Sequence, residues 1–218
     1  MTLLKVCGLR DVASAIKASE VGADFLGFVF VPRTRRCLQL ETARDVVSRY
    51  RRHVGDGGPR LVGLFADQPI TDIDKVVRAV GLDMVQLCGE ETPEYWSKIS
   101  VPVIKQIKVC DGGDRKHVFA ETLRRVENVV QYGHLAALDK YHPGAKGGTG
   151  ISFDWGIAAD VSSKANFLLS GGLTPENVER AIDIVRPLGV DVSSGIETGG
   201  VKDSKKIEAF AEAVQRSD

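Results

Sequence analysis

The stretch NFLLSGGLTPENVERAIDIVRPLGVDVSSG, residues 166–195, decides the architecture. It opens on an apolar run, breaks at Gly171-Gly172, and continues with apolar residues at helical spacing. It closes on a second β-branched run that ends in small polar residues. Two strands separated by a helix form a crossover unit, and crossovers join parallel neighbours. Thr174 stands at the expected cap of the intervening helix, with Pro175 where a first turn tolerates proline.

The same alternation runs through the chain. Strands are expected in LLKVCGL (3–9), FLGFVFV (25–31), RLVGLFA (60–66), MVQLCG (84–89), PVIKQIKV (102–109), HLAALDK (134–140), NFLLSGG (166–172) and GVDVSSG (189–195). Helices are expected in DVASAIKASEVG (11–22), LETARDVVSRYRR (40–52), ITDIDKVVRAVG (70–81), TPEYWSKIS (92–100), RKHVFAETLRRVENV (115–129), FDWGIAAD (153–160), TPENVERAIDIVRP (174–187) and SKKIEAFAEAVQRS (204–217). Asp11 and Thr92 precede their helices as caps, with Pro93 after the latter. Eight such units favour closure over an open doubly wound sheet. We therefore expect an α/β fold: a single (β/α)8 TIM barrel over residues 1–218, with parallel strands and the active site at the C-terminal face. No composition shift marks a second domain, and 218 residues against about 250 for the architecture leave room only for short loops.

Twenty-nine basic and 29 acidic residues cancel, so bulk charge gives no support for nucleic-acid or membrane-surface binding. No apolar stretch approaches the ~18–20 residues of a membrane span, and the N-terminal run is too short for a signal peptide. Cys7, Cys37, Cys88 and Cys110 form no C-x-x-C pair, and the four histidines are scattered without metal-ligand spacing. The expectation is a cytoplasmic protein with reduced thiols and no metal.

Barrel active sites lie at the C-terminal strand ends and in the loops that follow. There the chain places Cys7, residues 32–36, Ala66 to Gln68, Gln86 and Cys88, residues 105–108, Asp139, Gly171-Gly172 and Ser193-Ser194-Gly195. The glycines of strand 7 and the small residues of strand 8 are either tight turns or a cradle whose backbone N–H groups, aided by helix N-termini, face a phosphate. Cys7 is either a small buried hydrophobe or, with its pKa lowered by cations, a base or nucleophile. Asp139 is either a turn carboxylate or, desolvated at the barrel mouth, a general acid. Arg36 closes the basic run PRTRR (32–36), which is a solvated face or a clamp for a substrate carboxylate. Asp191 alternates with valines and either faces the interior to hydrogen-bond a ligand or organises the turn. Phe153 and Trp155 are read as core or loop cover.

The ordered set KVCGLRD, GADFLGFVF, VGLFAD, VQLCGEE, VIKQIKV, LDKYHPGAKGGTGISFDW, LLSGGLTPENVERAI and VDVSSGIETGGVKD resembles the phosphoribosylanthranilate isomerases of tryptophan biosynthesis, over nearly the whole chain. The resemblance implies a cofactor-free aldose–ketose isomerase. It would convert N-(5'-phosphoribosyl)anthranilate to 1-(2-carboxyphenylamino)-1-deoxyribulose 5-phosphate by an Amadori rearrangement, as a monomer or homodimer. It implies Cys7 as general base, Asp139 as general acid, Arg36 at the anthranilate, and Gly171, Gly172, Ser193, Ser194 and Gly195 around the phosphate. The family's usual VQLHG is VQLCG here, so Cys88 is not counted as catalytic, and TGGVKD lacks a common proline. The glycine-rich segment after Asp139 is read as a mobile βα loop near the substrate. The rival readings are a bifunctional or different phosphosugar isomerase or epimerase barrel, and an inactive phosphosugar-binding barrel.

Overall fold

A computed structural model of the chain describes residues 1–55, 57–110, 113–140 and 154–217. Eight parallel strands close into a barrel in sequence order, β1 (Leu3–Cys7), β2 (Phe25–Val29), β3 (Arg60–Phe65), β4 (Met84–Leu87), β5 (Val103–Val109), β6 (Leu135–Lys140), β7 (Phe167–Leu169) and β8 (Gly189–Val192). Between and after them lie α1 (Val12–Glu20), α2 (Leu40–Val54), α3 (Ile70–Val80), α4 (Pro93–Trp96), α5 (Arg115–Gln131), α6 (Trp155–Ser162), α7 (Val178–Val185) and α8 (Ser204–Arg216). The expected barrel is the observed one.

The strands read as continuous apolar runs because both of their faces are covered. Alternate residues point outward to the helices, which answer with apolar positions at helical spacing, such as Ile73, Val77 and Val80 in α3 and Ile207, Phe210 and Val214 in α8. The residues between them point inward and form a second, smaller cluster that includes Phe25, Val62, Leu64, Met84, Ile104, Ala137 and Leu168. Into this apolar interior the sequence also drives a lysine. Lys5 is wholly buried and sits opposite Asp191 in the β1–β8 register.

Several local expectations change. Asp11 caps α1 by accepting from the Ser14 backbone N–H at 2.8 Å. Thr92 stands at the cap position of α4 without a side-chain bond, and α4 stops at Trp96, far short of the expected span 92–100. Thr174 does not cap α7. The helix starts at Val178, because Asn177 folds the preceding residues into a turn: its Oδ1 accepts from Thr174 N at 2.8 Å and its Nδ2 donates to Gly172 O at 2.9 Å. An unexpected hairpin follows β8 and a short 3₁₀ turn (Ser194–Ile196): β9 (Glu197–Thr198) and β10 (Val201–Lys202). Gly199 and Gly200, at φ of 59° and 83°, supply the two left-handed residues that a tight two-residue turn demands. Residues 141–150 of the glycine-rich loop expected after Asp139, with His142, lie outside the described residues, as does Phe153 at the start of the helix expected over 153–160.

Candidate active site

At the C-terminal end of the barrel a cavity opens to solvent. Its lining includes Cys7 from β1, Arg36 from the loop after β2, Gln86 and Cys88 from the β4 end, Gln106 from β5, and Asp139 from β6. Ser170, Gly171 and Gly172 follow β7, while Asp191, Ser193 and Ser194 close the ring from β8. Of the nine residues that the sequence reading assigned to the site, eight therefore meet in one cavity. Gly195 does not line it. A Cβ there would lie 1.9 Å from the Leu173 carbonyl oxygen, so Gly195 lets the loops after β7 and β8 touch through backbone.

Asp139 is buried, with one oxygen accepting from Gln106 Nε2 at 2.6 Å and the other from its neighbour Lys140's backbone N–H at 2.8 Å. Burial pushes its carboxyl up to about 6, against the pull of those two donors and of Lys108; Asp191 across the cavity adds to the rise. An acid held near neutrality is what a general acid requires.

Cys7 departs from expectation. The cations are present, Lys5 beneath it on the same strand and Lys202 from β10, and both pull its thiol down. Burial and the Asp191 carboxylate outweigh them, and the thiol lies above its ordinary value. At rest near neutral pH it holds its proton. Cys88 is also buried and is pushed up to about 12 by burial first and by Cys7 second, so it is an inert thiol that accepts weakly from Gln86 Nε2 at 3.6 Å.

Arg36 reaches across Gly8, whose positive φ of 78° and missing side chain leave the space; a Cβ at Gly8 would lie 2.5 Å from Arg36 Cδ. Its guanidinium is already half engaged. Nε donates to Glu197 Oε1 at 2.6 Å and Nη2 to Glu197 Oε2 at 2.9 Å. That side-on pair leaves the end-on edge, Nη1 with the second hydrogen of Nη2, for another carboxylate. Glu197 also pairs with Arg35 and, across the hairpin, with Lys202 Nζ at 3.1 Å; Arg36 and Lys202 offset its burial and hold its carboxyl down to about 2. Lys202 Nζ in turn donates to Ser193 O at 2.7 Å. One carboxylate thus fixes Arg36 directly and, through Lys202, the β8 loop beside it.

Asp191 faces the interior, the first of its two expected placements, but both its oxygens accept from Lys5 Nζ at 3.0 Å. Gly171 and Gly172 have φ of 90° and 69°, which turns the strand-7 end sharply at the cavity. Because α7 begins at Val178, its N-terminus is not at these glycines, and any anion there meets loop N–H groups rather than a helix end.

The comparisons with known proteins agree with this geometry. The family model of N-(5'-phosphoribosyl)anthranilate (PRA) isomerase matches residues 4–213. An N-(5'-phosphoribosyl)anthranilate isomerase of Syntrophomonas wolfei is 41% identical over 216 residues, covering 99% of this chain and 98% of the relative. The chain belongs to the phosphoribosylanthranilate isomerase family. The crystal structure of the phosphoribosylanthranilate isomerase from Thermotoga maritima superposes with a TM-score of 0.84 at 34% identity, covering 99% of this chain and all of that one. A crystal structure of a phosphoribosylanthranilate isomerase in complex with reduced 1-(o-carboxyphenylamino)-1-deoxyribulose 5-phosphate superposes at 0.80 with 33% identity, with coverage of 99% and 100%. In this member of the family, sequence reasoning missed Lys5, Glu197 and Lys202, and it placed Gln106 at the strand-5 end without giving it a role. The pair Gly199-Gly200 between a glutamate and a lysine was the available signal for the hairpin; nothing local marks Lys5 or Gln106, whose partners are far away in sequence.

Proposed function

We propose that Cys7 and Asp139 are the base and acid of the isomerisation that defines this family. The reaction converts N-(5'-phosphoribosyl)anthranilate to 1-(2-carboxyphenylamino)-1-deoxyribulose 5-phosphate, an Amadori rearrangement run by general acid–base catalysis and the third step from chorismate to L-tryptophan. The observation that carries the assignment is that Cys7 and Asp139 line one cavity together with Arg36 and the glycines and serines of the β7 and β8 loops.

Asp139 gives its proton to the ribose ring oxygen as the C1'–O bond breaks and the anthranilate nitrogen lone pair forms the protonated Schiff base. Its position and its raised carboxyl suit that step. The cationic Schiff base makes the C2' hydrogen acidic. Cys7, as thiolate, takes that proton, leaving an enolamine that tautomerises to the ketone. The positive charge of the Schiff base adds to those of Lys5 and Lys202 and favours the thiolate at the moment it is needed. The free edge of Arg36 pairs with the anthranilate carboxylate. Loop N–H groups at Gly171 and Gly172 and the hydroxyls of Ser193 and Ser194 hold the phosphate, Gly195 shapes that loop, and Asp191 orders the cavity floor through Lys5 while offering its remaining lone pairs to the substrate.

Residues 1–218 act in this reading as one catalytic domain, in the cytoplasm, as a monomer or homodimer, and the mass of the species by light scattering decides between the two. The test of the activity is the decay of anthranilate fluorescence with freshly made substrate. Decay that purified protein accelerates, and that inorganic phosphate inhibits competitively, is the expected result. Without decay, the inactive phosphosugar-binding reading stands instead.

A further inference from the structure

Gln106 is buried on the barrel's inner face, two residues before Lys108, the strand partner of Asp139, and lines the same cavity. Its Nε2 donates to Asp139 Oδ2 at 2.6 Å, while its own carbonyl Oε1 is buried with no hydrogen-bond partner among the described residues. A buried amide that leaves its acceptor unsatisfied lowers stability, and a hydrocarbon side chain of similar size would not incur that cost. Among the described residues, the side chain's one hydrogen bond is to the acid. It therefore serves Asp139 rather than the fold.

We propose that Gln106 is a positioning residue for Asp139: its amide fixes Oδ2 and takes the place of water on the carboxylate that remains once the acid's proton has left. The inference rests on the reading of Asp139 as the general acid. Protonated, Asp139 must point its O–H at the substrate; ionised, it is a charge in an apolar interior. The backbone N–H of Lys140 holds Oδ1, so Gln106 supplies the donor for the other oxygen. The remaining groups that act on this carboxyl are Lys108 on β5 and Asp191 on β8, and from β7 Ser170 offers nothing, its hydroxyl donating to Leu138 O at 2.7 Å. Lys108 also pairs with Glu90 at 3.6 Å, and Asp191 is tied to Lys5, so neither replaces the amide.

The test is the titration of Asp139 by carbon-13 NMR in protein labelled at the aspartate carboxyls, its resonance assigned as the one missing from Asp139→Asn. In Gln106→Met, with Gln106→Leu as the second variant, the midpoint moves up from about 6 by about one pH unit or more. In the same variants kcat falls about 10-fold or more with KM nearly unchanged, and the melting temperature does not drop. A midpoint that stays in place or moves down overturns the proposal, as does a loss carried wholly by KM, which would make Gln106 a substrate contact. The titration reads Asp139 whether or not the enzyme turns over, so it is independent of the turnover of Asp139→Asn, on which the acid assignment itself stands.

Discussion

The proposed acid and base of this site hold their protons in the inconvenient order. Asp139 must be protonated to act, yet its carboxyl loses its proton at about 6; Cys7 must be ionised, yet its thiol lies above the ordinary ~8.5. The working form, acid protonated and thiol ionised, is then a small fraction of the enzyme that stays constant between the two values. Below 6 the thiolate becomes rarer while Asp139 is already protonated; above the thiol's value the protonated acid becomes rarer. A plot of kcat/KM against pH should therefore show a bell whose lower limb lies near 6 and whose upper limb lies above about 8.5. A rate that falls from pH 6 onward would show instead that no thiolate is required. The same residue carries a cost in stability. A carboxyl whose folded value is raised binds its proton more tightly in the native state, so stability drops as pH rises from about 4 to about 6, and the loss persists above. Asp139→Asn should remove it, gaining about 2–3 kcal/mol in urea unfolding at pH 8 and nothing at pH 4.

At the scale of elements, the hairpin after β8 does more than close a loop. Its register sets Glu197 opposite Lys202, and from there Glu197 grips Arg36 and Arg35 while Lys202 holds Ser193. The groups proposed to meet the substrate carboxylate and phosphate are thus organised by one side chain. Glu197→Gln should raise KM about 10-fold and leave kcat within about 3-fold, the pattern of lost uniform binding, checked by initial rates of fluorescence decay. Strand and helix alternation made all eight βα units legible, because both faces of each strand and one face of each helix must be apolar. Helix starts were less legible. Thr174-Pro175 carries the letters of a cap, but Asn177 satisfies the local backbone groups first and delays α7 to Val178.

Across the whole molecule, the barrel's interior holds a lysine and an aspartate among apolar residues, ion-paired with each other below the thiol proposed as the base. Such a pair adds little net stability, but removing one member strands a buried charge. Lys5→Met should lower the unfolding free energy by about 3–5 kcal/mol, and combining it with Asp191→Leu should restore most of the loss, as measured by denaturant unfolding. The ends of strands were legible as a site because closure of the barrel brings them to one rim. The ion pairs and the Gln106–Asp139 bond were not, because they depend on which residues share a register across β1–β8 and β5–β6, and periodicity does not encode shear. The central claim, an acid on β6 and a base on β1 acting on one substrate, is tested most directly by kcat/KM of Cys7→Ser and Asp139→Asn from anthranilate fluorescence decay. Each should fall at least ~100-fold while the variant stays folded; a value within about 3-fold of the parent for either would contradict the account.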